Sequence, residues 1–82
     1  MFYVYILYSS SLNKYYIGYT ADVNSRVYKH NAKHKGFTAG ATDWQIIYTE
    51  IFNSKAEAIK REKQIKQWKS RVAIENLIRS VG

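Results

Sequence analysis

The segment Phe2–Tyr8 has the sequence FYVYILY, a continuous apolar run of aromatic and β-branched residues. Apolar side chains at every position, rather than at every second one, predict a strand that is covered on both faces. We therefore place this segment at the centre of a β-sheet. The run is too short for the roughly 20 apolar residues that cross a membrane, and no basic segment precedes it as in a secretory leader. We expect no association with a membrane.

Two further strands are predicted downstream of this central strand. After a polar cluster at Ser9–Asn13, the segment Lys14–Tyr19 (KYYIGY) indicates a short strand that returns antiparallel to the first in a hairpin. Gly18, near the end of that strand, predicts either a bulge or a close backbone approach. The third strand is predicted over Gln45–Phe52, which is again rich in β-branched and aromatic residues.

The remaining segments predict three helices and a loop. A short amphipathic helix is predicted over residues 22–32, and a loop over Lys33–Asp43, which lacks periodicity and contains two glycines. Ser54 opens a Ser-x-x-Glu capping box, so a second helix begins there and runs to about Trp68. Ser70 can cap a last helix. The order β-β-α-β-α-α predicts a small α/β fold with a mainly antiparallel three-stranded sheet flanked by helices.

The length and composition of the chain exclude several classes of protein. A chain of 82 residues has the size of a single folding unit, so we predict one domain over residues 1–82. A hydrophobic content of 46%, with 8 Tyr, 3 Phe and 2 Trp, argues against intrinsic disorder. The absence of cysteine excludes a disulfide framework and a thiolate zinc site. These features favour a cytoplasmic protein.

The positive charge is concentrated in one part of the chain. The net charge is +7, and seven of the 13 Lys and Arg residues fall within residues 55–71. Phosphate neutralisation by clustered cations is the main sequence-independent source of affinity for nucleic acid, which makes nucleic acid the favoured partner. The alternative is a helix face that is simply solvated. The cations assigned to nucleic-acid binding are Lys55, Lys60, Lys63, Lys66 and Lys69.

Glu62 has an unusual position within the predicted second helix. At about 100° per residue, Glu62 falls inside the apolar arc that Ile59 and Ile65 define. A carboxylate that faces a core is costly unless it is paired or binds a cation. One interpretation is an ion pair with Lys66 at i+4. The other is a ligand for a hard cation such as Mg²⁺, which proteins hold with one or two carboxylates, waters and substrate phosphates.

Other side chains capable of chemistry also have a structural and a functional interpretation. Arg26 and His30, spaced i,i+4, share one face of the first helix. Arg26 can cover apolar surface with its stem or clamp a phosphate, and His30 can be a general base or a surface side chain. Tyr5 and Tyr16 on the hairpin can pack across strands, or can point into a polar groove and act on a water.

Taken together, these residues resemble the GIY-YIG nuclease superfamily, and within it the small stand-alone bacterial branch. The first half-motif is present as Tyr3–Tyr5 (YVY) and the second, intact, as Tyr16–Gly18 (YIG). Arg26 follows at the position of the family's catalytic arginine, and His30 stands where relatives carry His or Tyr. Glu62 occupies the position of the metal-binding glutamate. The resemblance extends to the catalytic domains of UvrC-like proteins and homing endonucleases, and it implies the same fold.

The resemblance also implies an activity and a role for each of these residues. It implies a phosphodiesterase that acts on DNA and depends on a single divalent ion, Mg²⁺ or Mn²⁺. The roles implied are Tyr5 and Tyr16 at the attacking water, Arg26 on the scissile phosphate, His30 in support of proton transfer, and Glu62 on the metal.

Substrate and partners follow from the same resemblance. Relatives use additional domains to choose their targets, so we expect low sequence specificity here, with branched or damaged DNA as candidate substrates and a repair protein as a candidate partner. We expect a monomer. The alternative is a catalytically degenerate module that binds nucleic acid or another protein, favoured by Ile74, which stands where many relatives carry asparagine.

Overall fold

A computed structural model describes residues 1–31 and 41–80 of the chain. The predicted order β-β-α-β-α-α is confirmed. Most of the loop predicted over Lys33–Asp43 lies outside the described residues. Within the described ranges, no helix is long and apolar enough to span a membrane. The elements are β1 (Phe2–Ser9), β2 (Lys14–Thr20), α1 (Val23–Asn31), β3 (Gln45–Phe52), α2 (Lys55–Gln67) and α3 (Arg71–Arg79).

The segment with the continuous apolar run is the central strand, as predicted. The sheet order is β2-β1-β3, and β1 pairs antiparallel with both neighbours. Val4, Ile6 and Leu7 are fully buried, because the two faces of β1 are both covered. The register places Tyr5 opposite Gly18 on β2 and opposite Thr49 on β3. Two residues of the predicted half-motifs are therefore direct cross-strand neighbours.

Helix α2 covers one face of the sheet. Val4 and Ile6 of β1 project toward this side and pack with Ile17 of β2. Ala58 and Ile65, both fully buried, supply the contacts from α2. Because successive side chains of a strand point to opposite faces, the intervening β1 residues are left to face the other side of the sheet.

Helix α1 packs against that other face. Tyr5 and Leu7 of β1 form a second cluster with Trp44, which is only 2% exposed. Val23 and Val27, spaced i,i+4 on α1, pack against this cluster. Tyr5, the last residue of the first half-motif, thus belongs to the core on the α1 side.

Side-chain caps define where the helices begin. The Oγ of Ser54 accepts the N–H of Glu57 at 3.2 Å, and the Oγ of Ser70 accepts the N–H of Ala73 at 3.2 Å. Both predicted caps are confirmed. Helix α1 begins at Val23 because Asp22 precedes it as a cap, with its Oδ1 accepting the N–H of Ser25 at 3.2 Å.

Two polar contacts hold the approach to β3 in place. Asp43 Oδ1 accepts a hydrogen bond from Ser9 Oγ at 2.6 Å, and Asp43 Oδ2 accepts the N–H of Ser11 at 2.9 Å. These bonds hold the pKa of Asp43 well below its usual range, with Ser9 as the largest cause. Asn31 makes two hydrogen bonds with the backbone of Trp44. Its Nδ2 donates to the carbonyl oxygen at 3.0 Å, and its Oδ1 accepts the N–H at 2.7 Å.

Candidate active site

A cavity of about 470 Å³ gathers side chains from β1, β2, α1 and α2. These elements are separated in the sequence, and each contributes one residue of the predicted catalytic and metal-binding set. Those four residues are Tyr5, Tyr16, Arg26 and Glu62.

Gly18 on β2 leaves room for the side chains of Tyr5 and Tyr16, which both lie close to it. A Cβ atom built on Gly18 would lie 2.5 Å from the Tyr5 hydroxyl and 3.1 Å from Cε1 of Tyr16. Real Cβ atoms do not approach other heavy atoms as closely as 2.5 Å, so only glycine fits beneath the Tyr5 ring. The sequence predicted a close backbone approach at Gly18, whereas the close contact there is made by the side chain of Tyr5. The irregularity in the sheet lies elsewhere, between Ile6 and Leu7 in their pairing with β3.

Tyr5 and Tyr16 form a tilted pair at the base of the cavity. Their ring centroids are 6.3 Å apart with an angle of 31° between the planes. Tyr5 is only 2% exposed. Burial raises the pKa of Tyr5, the charge of Tyr16 and that of Glu62 raise it further, and the guanidinium of Arg26 opposes the shift. Tyr5 is therefore a protonated phenol at neutral pH, able to donate a hydrogen bond.

Of the two interpretations of Glu62, the ion pair with Lys66 is confirmed, while the role of metal ligand stays a prediction. Its side chain is only 13% exposed and lines the cavity. It also pairs with Lys66 at i+4, with 3.2 Å between Oε1 and Nζ. Lys66 is about half exposed, and its Nζ lies 5.9 Å from the ring centroid of Tyr16. The ion pair therefore lies at the cavity rather than away from it.

The cavity offers a single carboxylate to a metal. Among residues 1–31 and 41–80, no group of three or more His, Cys, Asp or Glu side chains could enclose an ion. One carboxylate suits Mg²⁺, which keeps several of its waters and takes further ligands from a substrate phosphate. It does not suit Zn²⁺, whose sites use three or four protein ligands. The residues present thus fit a hydrated divalent ion that binds together with a phosphate.

Arg26 is exposed on α1 and reaches the same cavity. Lys55, at the start of α2, also lines it. Both cations are available to an anion that enters from solvent. His30 belongs to α1, like Arg26, but its side chain lies outside the described part of the chain.

Of the five lysines predicted to bind nucleic acid, three line one of two cavities and the other two line neither. Lys55 lines the cavity described above, while Lys66 and Lys69 line a neighbouring one. Lys60 and Lys63 are exposed on α2 but line neither cavity. The helix thus presents only part of its charge to the candidate site.

Two arginines of the same basic stretch make structural contacts instead. The guanidinium of Arg61 donates to both carboxylate oxygens of Glu50, at 2.9 and 3.0 Å. Tyr48 donates a short hydrogen bond to the same carboxylate. Arg71 pairs with Glu75 at 3.2 Å. The bonds of Arg61 tie α2 to β3, the pair of Arg71 and Glu75 lies within α3, and both reduce the charge that can attract a polyanion.

Several residues of the cavity were not predicted from the sequence. Thr20 follows Gly18 by two positions on β2, so the alternation of the strand places it on the same face and could have identified it. The remaining wall is formed by apolar or aromatic side chains that carry no functional signal of their own. The additional lining residues are Phe2, Tyr19, Thr20 and Ala21.

Comparisons with known proteins agree with this geometry. Residues 1–76 match the model of the GIY-YIG catalytic domain. A UPF0213 protein of Halobacterium salinarum is 46% identical over 68 residues, which cover 82% of this chain and 87% of the relative. A UPF0213 protein of Staphylococcus haemolyticus is 42% identical over 65 residues, 78% of each chain. The solution NMR structure of a UPF0213 protein from Bacillus halodurans is similar with a TM-score of 0.60 and 38% identity, covering 95% of this chain and 83% of that one.

Proposed function

Because the chain belongs to the GIY-YIG family, we propose that it is a divalent-metal-dependent endonuclease that hydrolyses phosphodiester bonds of DNA with little sequence preference. The observation that carries the proposal is the convergence of four side chains on one cavity. Tyr5, Tyr16, Arg26 and Glu62 come from four separate elements, and each supplies a different part of the chemistry.

In this proposal Arg26 binds the scissile phosphate. Its guanidinium presents paired N–H donors that match two phosphate oxygens, and its exposure leaves it accessible to a strand of DNA. Negative charge increases on those oxygens as water attacks. A donor already in position stabilises the transition state more than the ground state, so Arg26 lowers the barrier.

The two tyrosines orient the attacking water. Tyr5, held against Gly18, donates a hydrogen bond from its protonated phenol. Tyr16 is less buried than Tyr5 and lines the same cavity, and in this proposal its hydroxyl contacts the attacking water. His30 is assigned to support proton transfer, on the basis of its position one turn after Arg26 in the family pattern. The tyrosines fix the direction of attack.

Glu62 would hold the divalent ion, Mg²⁺ or Mn²⁺. When bound, the ion supplies a Lewis acid that neutralises charge on the phosphate and makes water more acidic. The carboxylate is mostly buried yet lines the cavity, and it pairs with Lys66. Lys55 and Lys66 draw the phosphate backbone toward this position.

The proposed setting is the cytoplasm, where the protein would act as a monomer. Branched or damaged DNA is the proposed substrate, and a repair protein is the proposed partner that would direct the cleavage. A single site per chain implies that the protein nicks one strand at a time.

A cleavage assay with matched glutamate variants tests the proposal. Supercoiled plasmid, flap and junction substrates are incubated with Mn²⁺ or Mg²⁺ and with the wild type, Glu62→Gln or Glu57→Gln. Glu57 lies on the same helix but is exposed and lines neither cavity. We expect nicking by the wild type and by Glu57→Gln, and none by Glu62→Gln. Equal background from all three proteins contradicts the enzyme proposal.

The ion pair between Glu62 and Lys66 supports a second candidate function. A carboxylate that is already paired needs no metal, as in a degenerate nuclease fold retained to bind nucleic acid. Titration with Mg²⁺, followed by NMR, separates the two functions. Shifts centred on Glu62 and Arg26 favour the enzyme. Shifts produced by DNA within residues 55–71, with no response to the metal, favour the binding module.

A further inference from the structure

A second cavity, of about 540 Å³, lies beside the candidate active site. It is bounded by β2, the end of α2 and the start of α3. Tyr16 lines both cavities, so its ring is a shared wall. Lys66 lines the second cavity and pairs with Glu62 of the first. A ligand in the second cavity would therefore lie beside the candidate active site.

The interior of this cavity is mostly apolar. Ile17, Ile65 and Ile74 contribute aliphatic surface, and Tyr15 and Tyr16 contribute aromatic rings. Its volume is within the range of about 300–1,000 Å³ that small-molecule sites occupy. Such a surface suits a flat ring with apolar faces.

The rim of the cavity is cationic. No carboxylate lines the cavity, and the guanidinium of Arg71 lies 5.1 Å from the ring centroid of Tyr15. Lys66 and Arg71 pair with Glu62 and Glu75 outside the lining, but four cations against these two carboxylates still leave a positive rim that an apolar peptide would not match. A nucleotide fits both parts, because its base is flat and its phosphates are negative. The cations that line the cavity are Lys14, Lys66, Lys69 and Arg71.

We propose that this second cavity receives an unpaired DNA base adjacent to the phosphate that is cleaved. The preferred substrates would then be strands with an unpaired nucleotide, such as flaps and gapped junctions. The base would stack against Tyr15 or Tyr16 while Lys69 contacts a flanking phosphate. A paired base would first have to leave its stack, at a cost that an unpaired base avoids. The position of the base beside a scissile phosphate rests on the proposed function.

Equilibrium binding without divalent ions tests the base site independently of cleavage. Fluorescence anisotropy compares a DNA duplex that ends in a one-nucleotide overhang with the same duplex carrying an abasic overhang. We expect the base to tighten binding by at least about fivefold, the lower end of the range for stacking on an aromatic side chain. Equal affinities for the two substrates overturn the proposal, whether or not the protein cleaves DNA.

Methyl NMR of the wild type locates the base without any substitution. We expect the overhanging base, and not the abasic control, to shift the signals of Ile17, Ile65 and Ile74. Ile46 and Ile51 of β3 are exposed and line neither cavity, so their signals serve as references. Shifts that are the same with both substrates, or that avoid the three cavity methyls, contradict a base site here.

A pair of lysine variants adds a test that leaves the core intact. Lys69 and Lys60 are both exposed, but only Lys69 lines the second cavity. We expect Lys69→Glu to weaken binding of the overhang substrate several-fold more than Lys60→Glu. If the two variants weaken binding equally, the cavity rim makes no specific contact. A base site without nicking by the wild type would refute the nuclease proposal and leave the binding site in place.

Discussion

The hydroxyl of Tyr5 lies against the backbone of Gly18 on the neighbouring strand, where an added Cβ would come within 2.5 Å of it. We expect Gly18→Ala to displace the Tyr5 ring and to destabilise the protein by about 1–3 kcal/mol, the usual cost of overpacking. The same displacement should reduce cleavage strongly. Urea unfolding and the nicking assay measure the two effects.

A double-mutant cycle assigns that cost to the contact between the two residues. Tyr5→Leu removes the ring end that meets the new Cβ, so Gly18→Ala should cost clearly less in that background. An unchanged cost would place the strain elsewhere, for example at Tyr16, whose Cε1 lies 3.1 Å from the same Cβ.

Local signals in the sequence were sufficient to predict much of the fold. The apolar run of β1 predicted the central strand, and Ser54 and Ser70 predicted the starts of two helices. Gly18 predicted a bulge or a close backbone approach, since these are features that a glycine within a strand often marks. The phase of Glu62 placed its carboxylate toward the interior. Each of these signals is carried by residues that are close together in the sequence.

Contacts between distant segments could not be predicted in the same way. Asp43 binds a turn more than 30 positions earlier, and no periodicity marks that pairing. Arg61 belongs to the basic stretch by sequence, yet its guanidinium is bound to Glu50 on β3. The second cavity combines β2 with α3, and Ile74 is only one more apolar residue of α3 until the helices are packed.

A comparison of Glu62→Gln with Glu50→Gln separates function from stability. Lys66 is about half exposed, and ion pairs with a solvent-exposed partner contribute about 1 kcal/mol or less, so we expect Glu62→Gln to leave stability nearly unchanged while abolishing cleavage. Glu50 accepts two bonds from Arg61 and one from Tyr48, and its loss should cost about 1–3 kcal/mol.

Urea unfolding of both glutamine variants at neutral pH makes this comparison. If Glu62→Gln proved as destabilising as Glu50→Gln, the carboxylate of Glu62 would have a structural role, and the loss of cleavage would carry no information about metal binding.

The raised pKa of Tyr48 predicts that the protein loses stability in alkaline solution. Burial and the hydrogen bond to Glu50 raise the pKa of Tyr48 to about 12. Between about pH 10 and 12 the unfolded chain releases this proton while the folded protein retains it, so stability must fall as the pH rises. The contribution is fully present below about pH 10. Tyr48→Phe removes it and should make the decline shallower.

Unfolding in urea at pH 9, 10 and 11 measures the slope. Tyr28→Phe is the matched control, because Tyr28 is 78% exposed. We expect Tyr28→Phe to follow the wild type. A wild-type slope that Tyr48→Phe leaves unchanged would assign the alkaline sensitivity to other groups, of which Tyr5, with its raised pKa, is the first candidate.

The lowered pKa of Asp43 predicts that the protein loses stability in acid. Hydrogen bonds from Ser9 and Ser11 lower the pKa of Asp43 in the folded protein. Its stabilising contribution is therefore present above the unfolded pKa of about 4 and is lost as the pH falls below it. We expect Asp43→Asn to be less stable than the wild type at pH 7, with a smaller difference at pH 3. A difference that is constant with pH would show that the charge of Asp43 is not involved.

The uneven placement of the α2 lysines predicts unequal effects on DNA binding. Lys55 lines the candidate active site, whereas Lys60, five positions later on the same helix, lines neither cavity. Each phosphate contact that is lost reduces the slope of log K against log salt concentration by about 0.9 for duplex DNA. We expect Lys55→Gln to lower the slope by about that amount and to slow cleavage, and Lys60→Gln to change both little. The slopes come from anisotropy titrations between low and moderate salt with the same duplex. Equal reductions by the two variants would mean that DNA lies along the whole exposed face of α2, in which case the cavities would not define its path.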